Sequence, residues 1–104
     1  MHLQIAPLGV RVTAAAARRK VNRFVLDTIS YLMGGGQPTL VETDRLVWRV
    51  PVVLAYPDQG VVGQVGLIDV DAESGDLRLT PDTIEDIKRN ARALAAHLPP
   101  EATP

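Results

Sequence analysis

The sequence contains no cysteine, two histidines, one Phe, one Trp and two Tyr among its 104 residues. Without cysteine, neither a disulfide framework nor a thiolate metal site can form. His2 and His97 stand at opposite ends of the chain, so they predict neither a histidine metal site nor a base oriented beside a nucleophile. We therefore expect a protein that is not an enzyme and that holds no metal ion or cofactor.

The sequence also lacks a dominant charge and a long hydrophobic run. Eleven basic and twelve acidic residues give a net charge of −1, which provides no overall attraction to nucleic acid or anionic lipid. No segment approaches the ~18 apolar residues of a membrane span. Residues 1–7 lack the charged start and apolar run of a secretory signal, so we expect a cytoplasmic protein that does not enter a membrane.

What the sequence does contain is typical of one small globular domain, with 46% hydrophobic and 22% charged residues. We expect a single domain over residues 1–98. Pro99 and Pro100 end the last predicted helix, so residues 99–104 are expected to form a flexible C-terminal tail.

A helical pattern begins after Thr13, whose hydroxyl is suited to cap a helix N-terminus. Apolar residues then recur at steps of three and four up to Leu32. The run Gly34–Gly36 is expected to end this helix and to form a flexible connector. A phosphate-binding loop would instead precede a helix and end in Gly-Lys-Ser/Thr, so we do not expect one here.

From Thr39 the hydrophobic period changes to two, which predicts strands. The longest alternation runs over residues 46–56, and Pro51 within it indicates an edge strand or a bulge. A turn at 57–60 leads to a second strand at 61–71 whose apolar residues fall on both parities. Either a bulge near Gly63 or Gly66, or burial of both faces, would explain that mixed pattern.

A turn at 72–75 and a short strand at 76–79 precede a second helix that begins with Thr80, Pro81 and Asp82. Thr80 is suited to cap the helix, Pro81 fits its first position, and the Asp82 carboxylate lies near the positive end of the helix dipole. Glu85 and Arg89 have the spacing of a helical ion pair. The predicted fold is therefore α+β: an N-terminal helix, an antiparallel meander of three to four strands, and a C-terminal helix.

The acidic run Asp69, Asp71, Glu73 and Asp76 begins like a calcium-binding loop. Such a loop needs Gly at its sixth position and Glu at its twelfth, and here those positions hold Ser74 and Thr80. We therefore expect a hairpin turn flanked by solvated carboxylates.

Two surfaces remain as candidate interfaces. Trp48, Val50, Val52, Ile68 and Val70 are expected to be core. The opposite strand face carries Val47, Arg49 and Val53, and the sequence leaves open whether the last helix covers it. An uncovered apolar sheet face usually marks a protein interface. The second surface is the basic side of the first helix, with Arg18, Arg19 and Arg23 beside Arg11 and Lys20.

Part of the chain resembles the hairpin of PepSY-type domains. The residues that carry this resemblance are Trp48-Arg49-Val50-Pro51-Val52, Gly60-Val61-Val62-Gly63, and the segment from Ile68 to Leu77 with its Val-Asp-Ala-Glu-Ser-Gly-Asp-Leu turn. The resemblance implies a role in binding or inhibiting proteases, and the chain departs from those domains by its C-terminal helix.

The layout is also similar to small uncharacterised bacterial proteins encoded beside PIN-domain toxins, through the Thr80–Ile87 start of the last helix. That resemblance implies an antitoxin-like partner role. Taken together, the sequence predicts a non-catalytic protein-interaction module whose partner is another protein or a second copy in a homodimer. The alternative is a nucleic-acid-binding module that uses the basic side of the first helix.

Overall fold

A computed structural model describes residues 9–97 of the chain, and it confirms the predicted α+β class with one helix at each end of an antiparallel sheet. The elements are α1 (Ala14–Thr28), β1 (Met33–Gly35), β2 (Thr39–Glu42), β3 (Leu46–Tyr56), β4 (Gly60–Asp71), β5 (Leu77–Arg78) and α2 (Pro81–Ala96). Within the described residues the sheet has five strands, one more than the predicted maximum. His2, Leu98 and the tail predicted at 99–104 lie outside the described residues.

Helix α1 starts as predicted and ends earlier than predicted. The Thr13 hydroxyl accepts a hydrogen bond from the backbone N–H of Ala16 at 3.0 Å. The helix ends at Thr28, where the N–H groups of Ile29 and Ser30 both donate to the carbonyl of Val25. The Ser30 hydroxyl then accepts from the N–H of Leu32 at 3.0 Å, which turns the chain away from the helix axis. The glycine run is therefore no flexible connector, because its first two residues belong to strand β1.

Strand β3 lies at the centre of the sheet, so the first of the two alternatives predicted from Pro51, an edge strand, was wrong. The register of β3 with β4 is irregular one residue beyond Pro51, between Val52 and Val53. β1 and β2 pair with successive halves of one side of β3, β4 pairs with the other side, and β5 pairs with β4. Pro51 lies opposite the gap between β1 and β2, where Gly36 donates its N–H to the Pro51 carbonyl at 2.8 Å. The missing N–H of proline therefore falls where no ladder bond is required.

Two bulges in β4 explain its mixed hydrophobic pattern. Of the two explanations that the sequence left open, a bulge near Gly63 or Gly66 is therefore the one found. The register with β3 passes from Gly66 to Gln64 and from Gly63 to Val61, which leaves Val65 and Val62 without a partner on β3. Both valines join the hydrophobic core, and Val65 is 1% exposed. The bulges thus turn toward the helices two side chains that would not share the helix-facing side in a regular strand.

Both helices pack on the same face of the sheet. Gly66 is paired with Val52, which faces α1, and a Cβ at Gly66 would lie 2.5 Å from the Cγ1 atom of Ile87 in α2. A Cβ at Gly35 in β1 would lie 3.0 Å from the Arg18 carbonyl in α1. Glycine at these positions allows each helix to approach the backbone of the sheet closely.

The interior between helices and sheet holds the predicted core. Val50, Val52, Ile68 and Val70 are at most 1% exposed. Trp48 packs against them and donates its indole N–H to the Val12 carbonyl at 2.7 Å, which fixes the segment before α1. Residues 10–12 are an extended lead-in rather than a strand, and the N–H groups of Arg11 and Val12 both donate to the Ala72 carbonyl.

Helix α2 has the predicted cap. The Thr80 hydroxyl accepts from the N–H of Thr83, and the Thr83 hydroxyl accepts from the N–H of Thr80. The predicted Glu85–Arg89 pair does not form, because Arg89 turns to Asp86 at 2.6 Å and Glu85 to Lys88 at 3.7 Å. Neither helix within residues 9–97 has the length and apolar character to cross a membrane.

Candidate functional site: the open face of the sheet

The face of the sheet opposite the helices is the open face, and the described helices leave it uncovered. Its side chains come from alternate residues of β3 and from the residues paired with them. In the half nearest β2 and β5 these are Thr39, Arg49, Asp69 and Arg78, which lie in one row across four strands. The next row holds Val41, Val47 and Asp71, of which Val47 and Asp71 are buried. In the other half they are Pro51, Val53, Ala55, Leu67, Gln64 and Val61. The open face is therefore polar at one end and mainly apolar at the other.

Arginine–aspartate pairs dominate the polar end. Arg49 donates to both carboxylate oxygens of Asp69, at 2.9 and 3.0 Å, and Arg78 does the same with Asp44 at 3.1 and 3.2 Å. Paired donors in a planar fork match both oxygens of a carboxylate, which fixes these side chains in place. Charges of both signs alternate over this end, so it presents neither a basic nor an acidic patch.

Asp71 is 5% exposed and is the one buried charged side chain of the described residues. One of its oxygens accepts from the backbone N–H groups of Glu73 and Ser74, at 2.8 and 2.9 Å, and Arg45 contacts the other at 2.5 Å. The hydrogen bonds from Ser74 and then Glu73 hold the pKa of Asp71 below its ordinary value, and the Arg45 charge adds to them. Asp71 thus stabilises the turn that follows β4.

Hydrogen bonds also lower the pKa of Asp44, although this side chain is mostly exposed. The hydrogen bonds from Arg78 and then Thr43 lower the pKa of Asp44 to about 2. Hydrogen bonding to the partner carboxylates raises the pKa of Arg49 and of Arg78 above the ordinary guanidinium value. All of these groups are therefore charged at neutral pH.

The acidic run that begins in β4 forms a hairpin turn, as the sequence predicted. Its carboxylates are not all solvated as expected, because Asp71 is buried and caps the turn, and Asp69 is paired with Arg49. Within residues 9–97 no group of three or more His, Asp or Glu side chains is placed to hold a metal ion. His97 is exposed at the end of α2, with Nδ1 2.8 Å from the Ala93 carbonyl.

The apolar end of the open face, formed by Pro51, Val53, Ala55, Val61 and Leu67, is named here the open-face patch. Val61 and Leu67 are 66% and 46% exposed, and the three β3 residues are half-buried. On the β1 side the patch borders Gly34, which is paired with Val53 and has no side chain. The result is an apolar surface that ends at the outer edge of β4.

The six residues predicted as interface do not form one surface. Val53 lies in the open-face patch, and Arg49 lies beside it in its pair with Asp69. Val47 is 0% exposed, so its side chain is unavailable to a partner, which corrects that part of the prediction. Arg18, Arg19 and Arg23 belong to α1, on the other side of the sheet.

The basic side of α1 borders a groove of about 450 Å³, lined by Arg18, Arg19, Asn22, Arg23, Leu26 and Gly35. Several of the cations have intramolecular partners. Arg18 donates to the Gly35 carbonyl at 3.0 Å, Arg23 pairs with Asp27 at 3.1 Å, and Lys20 donates to the Gly75 carbonyl. Arg18 therefore attaches α1 to β1, and Lys20 attaches it to the turn after β4.

Sequence reasoning identified neither Val61 as part of the exposed surface nor Val65 as part of the core. The signal that separates them is the position of the two bulges, since each bulge reverses the parity of the residues beyond it. Glycine at 63 and 66 indicates that bulges are present but does not say which neighbour is displaced.

No protein-family model matches the chain, and searches of curated proteins and of solved structures gave no match. The PepSY-type and toxin-associated resemblances therefore stay expectations from the residues quoted above.

Proposed function

We propose that this protein is a non-catalytic protein-interaction module that binds another protein chain through the open face of its sheet. The observation that carries the proposal is that α1 and α2 pack on one face and leave the open-face patch accessible. An antitoxin-like or inhibitor-like role is the form of this function that the two resemblances favour.

The chemistry of the open face suits recognition. The patch supplies apolar area that gains free energy when it leaves water, at roughly 25 cal/mol per Å². The neighbouring ion pairs hold their side chains in fixed geometry and offer charges of both signs at the rim. An apolar centre with a polar rim is the usual anatomy of a specific interface.

The test is the substitution Val53→Glu, which places a charge at the centre of the patch. Val53 is half-buried and its side chain points away from the helices, so we expect the fold to persist and association to be lost. The matched control is Ala15→Glu, at an exposed position of α1. Light scattering gives the mass of each variant, and capture from the native lysate shows whether a partner is retained.

Loss of association in Val53→Glu but not in Ala15→Glu, with unchanged circular dichroism, supports the proposal. If Val53→Glu unfolds the protein, Val53 is a core residue and its assignment to the interface is wrong. If both variants behave as the wild type, the open face is not the binding surface.

A second candidate function is nucleic-acid binding by α1, and the groove beside Arg19 and Arg23 is the observation that favours it. Phosphate contacts make such binding fall steeply between about 50 and 200 mM salt. Fluorescence anisotropy with single- and double-stranded oligonucleotides measures this directly. A flat titration at low salt removes this candidate, and binding that Arg19→Glu does not weaken places the contact elsewhere.

A further inference from the structure

The two sides of the sheet differ in how far helix side chains occupy their outer backbone groups. On the β1 side, the Gly35 N–H donates to the Asn22 side-chain oxygen at 3.1 Å, and Arg18 donates to the Gly35 carbonyl at 3.0 Å. Side chains of α1 therefore occupy the hydrogen-bonding positions that an added strand would need. β2 continues this side for only four residues and ends at Glu42.

On the opposite side, β5 covers only the end of β4. Its pairing is limited to Asp69 with Arg78 and Val70 with Leu77, after which Thr80 and Pro81 begin α2. Among residues 9–97 no strand pairs with the outer edge of β4 from Gly60 to Ile68. An unpaired strand edge of this length is a template for another chain.

The bulges give this edge a symmetric order of side chains on the open face. Because Val65 and Val62 turn into the core, the consecutive open-face residues of β4 are Leu67, Gln64 and Val61. They are spaced three residues apart on either side of Gln64. Two apolar exposed residues therefore flank one amide at equal separation.

We infer that the chain binds a second copy of itself by antiparallel pairing of β4 with β4 about a two-fold axis at Gln64. This deepens the proposed function, on which it rests, by naming the partner. The axis places Leu67 of each copy opposite Val61 of the other and brings the two Gln64 amides together. Such an interface is isologous and closes on two copies.

The pairing also joins the two open-face patches, because Leu67 and Val61 are the patch residues nearest the edge. Asn90 Nδ2 donates to the Val65 carbonyl at 2.9 Å, so the bulge at Val65, next to the axis, does not leave that acceptor without a hydrogen bond. Hydrogen bonds between the two copies then form on both sides of the Val65 bulge, beginning at Leu67.

The absence of cysteine allows a sharp test of the register. Antiparallel neighbours lie about 4.5–5.5 Å apart between Cα atoms, which suits a disulfide. Gln64→Cys would place two thiols at the axis. In Val61→Cys the two thiols would be six residues apart along β4, about 13 Å, because the two bulges make those six residues span only four residues of β3. Both positions are exposed and lie on β4, so the second variant is a matched control.

The measurement is covalent dimer formation under mild oxidation, read on a non-reducing gel, together with sedimentation of the wild-type chain over a range of concentrations. We expect a wild-type dimer and selective cross-linking of Gln64→Cys. A wild type that is monomeric at high micromolar concentration overturns the inference, and so does equal cross-linking of the two variants.

Charge exchange provides an independent readout. Leu67→Arg and Val61→Glu alone should each dissociate the dimer, and mixing the two variants should restore it, because Arg at 67 then faces Glu at 61 of the other copy. If mixing restores nothing, the pairing is wrong. If association persists through this series but is lost in Val53→Glu, the proposed function stands and only the β4 pairing fails.

Discussion

At the scale of single residues, the packing of α2 on the sheet depends on the absence of a side chain at Gly66. Ile87 is 1% exposed and its Cγ1 atom would lie 2.5 Å from a Cβ at that position. A well-packed side chain of this kind has no space into which to move. Gly63 offers a natural comparison, because its Cβ would meet the flexible end of half-buried Leu94 at 2.7 Å.

We therefore expect Gly66→Ala to lower the free energy of unfolding by about 1–3 kcal/mol, as overpacking does, and Gly63→Ala to have a smaller effect. Urea denaturation measures both. Combining Gly66→Ala with Ile87→Ala should cost less than the sum of the two single changes, because the clash disappears with the side chain. A Gly66→Ala variant as stable as the wild type would mean that Ile87 does not pack on β4.

At the scale of elements, the sequence predicts most reliably those features that depend on residues close together in the chain. The Thr13 and Thr80 caps, the long alternation of β3 and the turn at Gly60 are local, and all are present. β1 was missed because two of its three residues are glycine, so it has no side-chain alternation to read. It is a strand because β3 offers ladder partners, which the local sequence does not show.

The arrangement of the elements and of the open face is less predictable for the same reason. The face on which α2 packs is set by Gly66 and Gly63, whose contacts lie about twenty to thirty residues further along the chain. The Asp44–Arg78 pair joins residues 34 positions apart. A pattern of hydrophobic residues distinguishes the two faces of a strand but does not predict which face a later helix will cover.

At the scale of the whole molecule, the lowered pKa values of Asp44 and Asp71 make stability depend on pH. Both carboxylates have lower pKa values in the folded protein than the ~3.9 of an unfolded chain, and that of Asp44 is about 2. Between about pH 4 and pH 2 the unfolded chain binds more protons, so the free energy of unfolding must fall as the pH falls. Above that window the contribution of these groups is fully present.

Thermal unfolding measured from pH 7 to pH 2 checks this expectation. Asp71→Asn should flatten the decline more than Asp44→Asn, because Asp71 is buried whereas the Asp44 side chain is 68% exposed and screened by solvent. If the two substitutions flatten the profile equally, the Asp71 cap is no stronger than a surface ion pair.

The closure of the β1 side by Asn22 and Arg18 has a consequence for solubility. A sheet that is open on both sides can add chains without limit, which is how cross-β fibres grow. Here one helix holds the hydrogen-bonding groups of Gly35, so propagation from that strand is blocked. We therefore expect replacement of these two side chains to favour polymerisation as well as to weaken the attachment of α1 to β1.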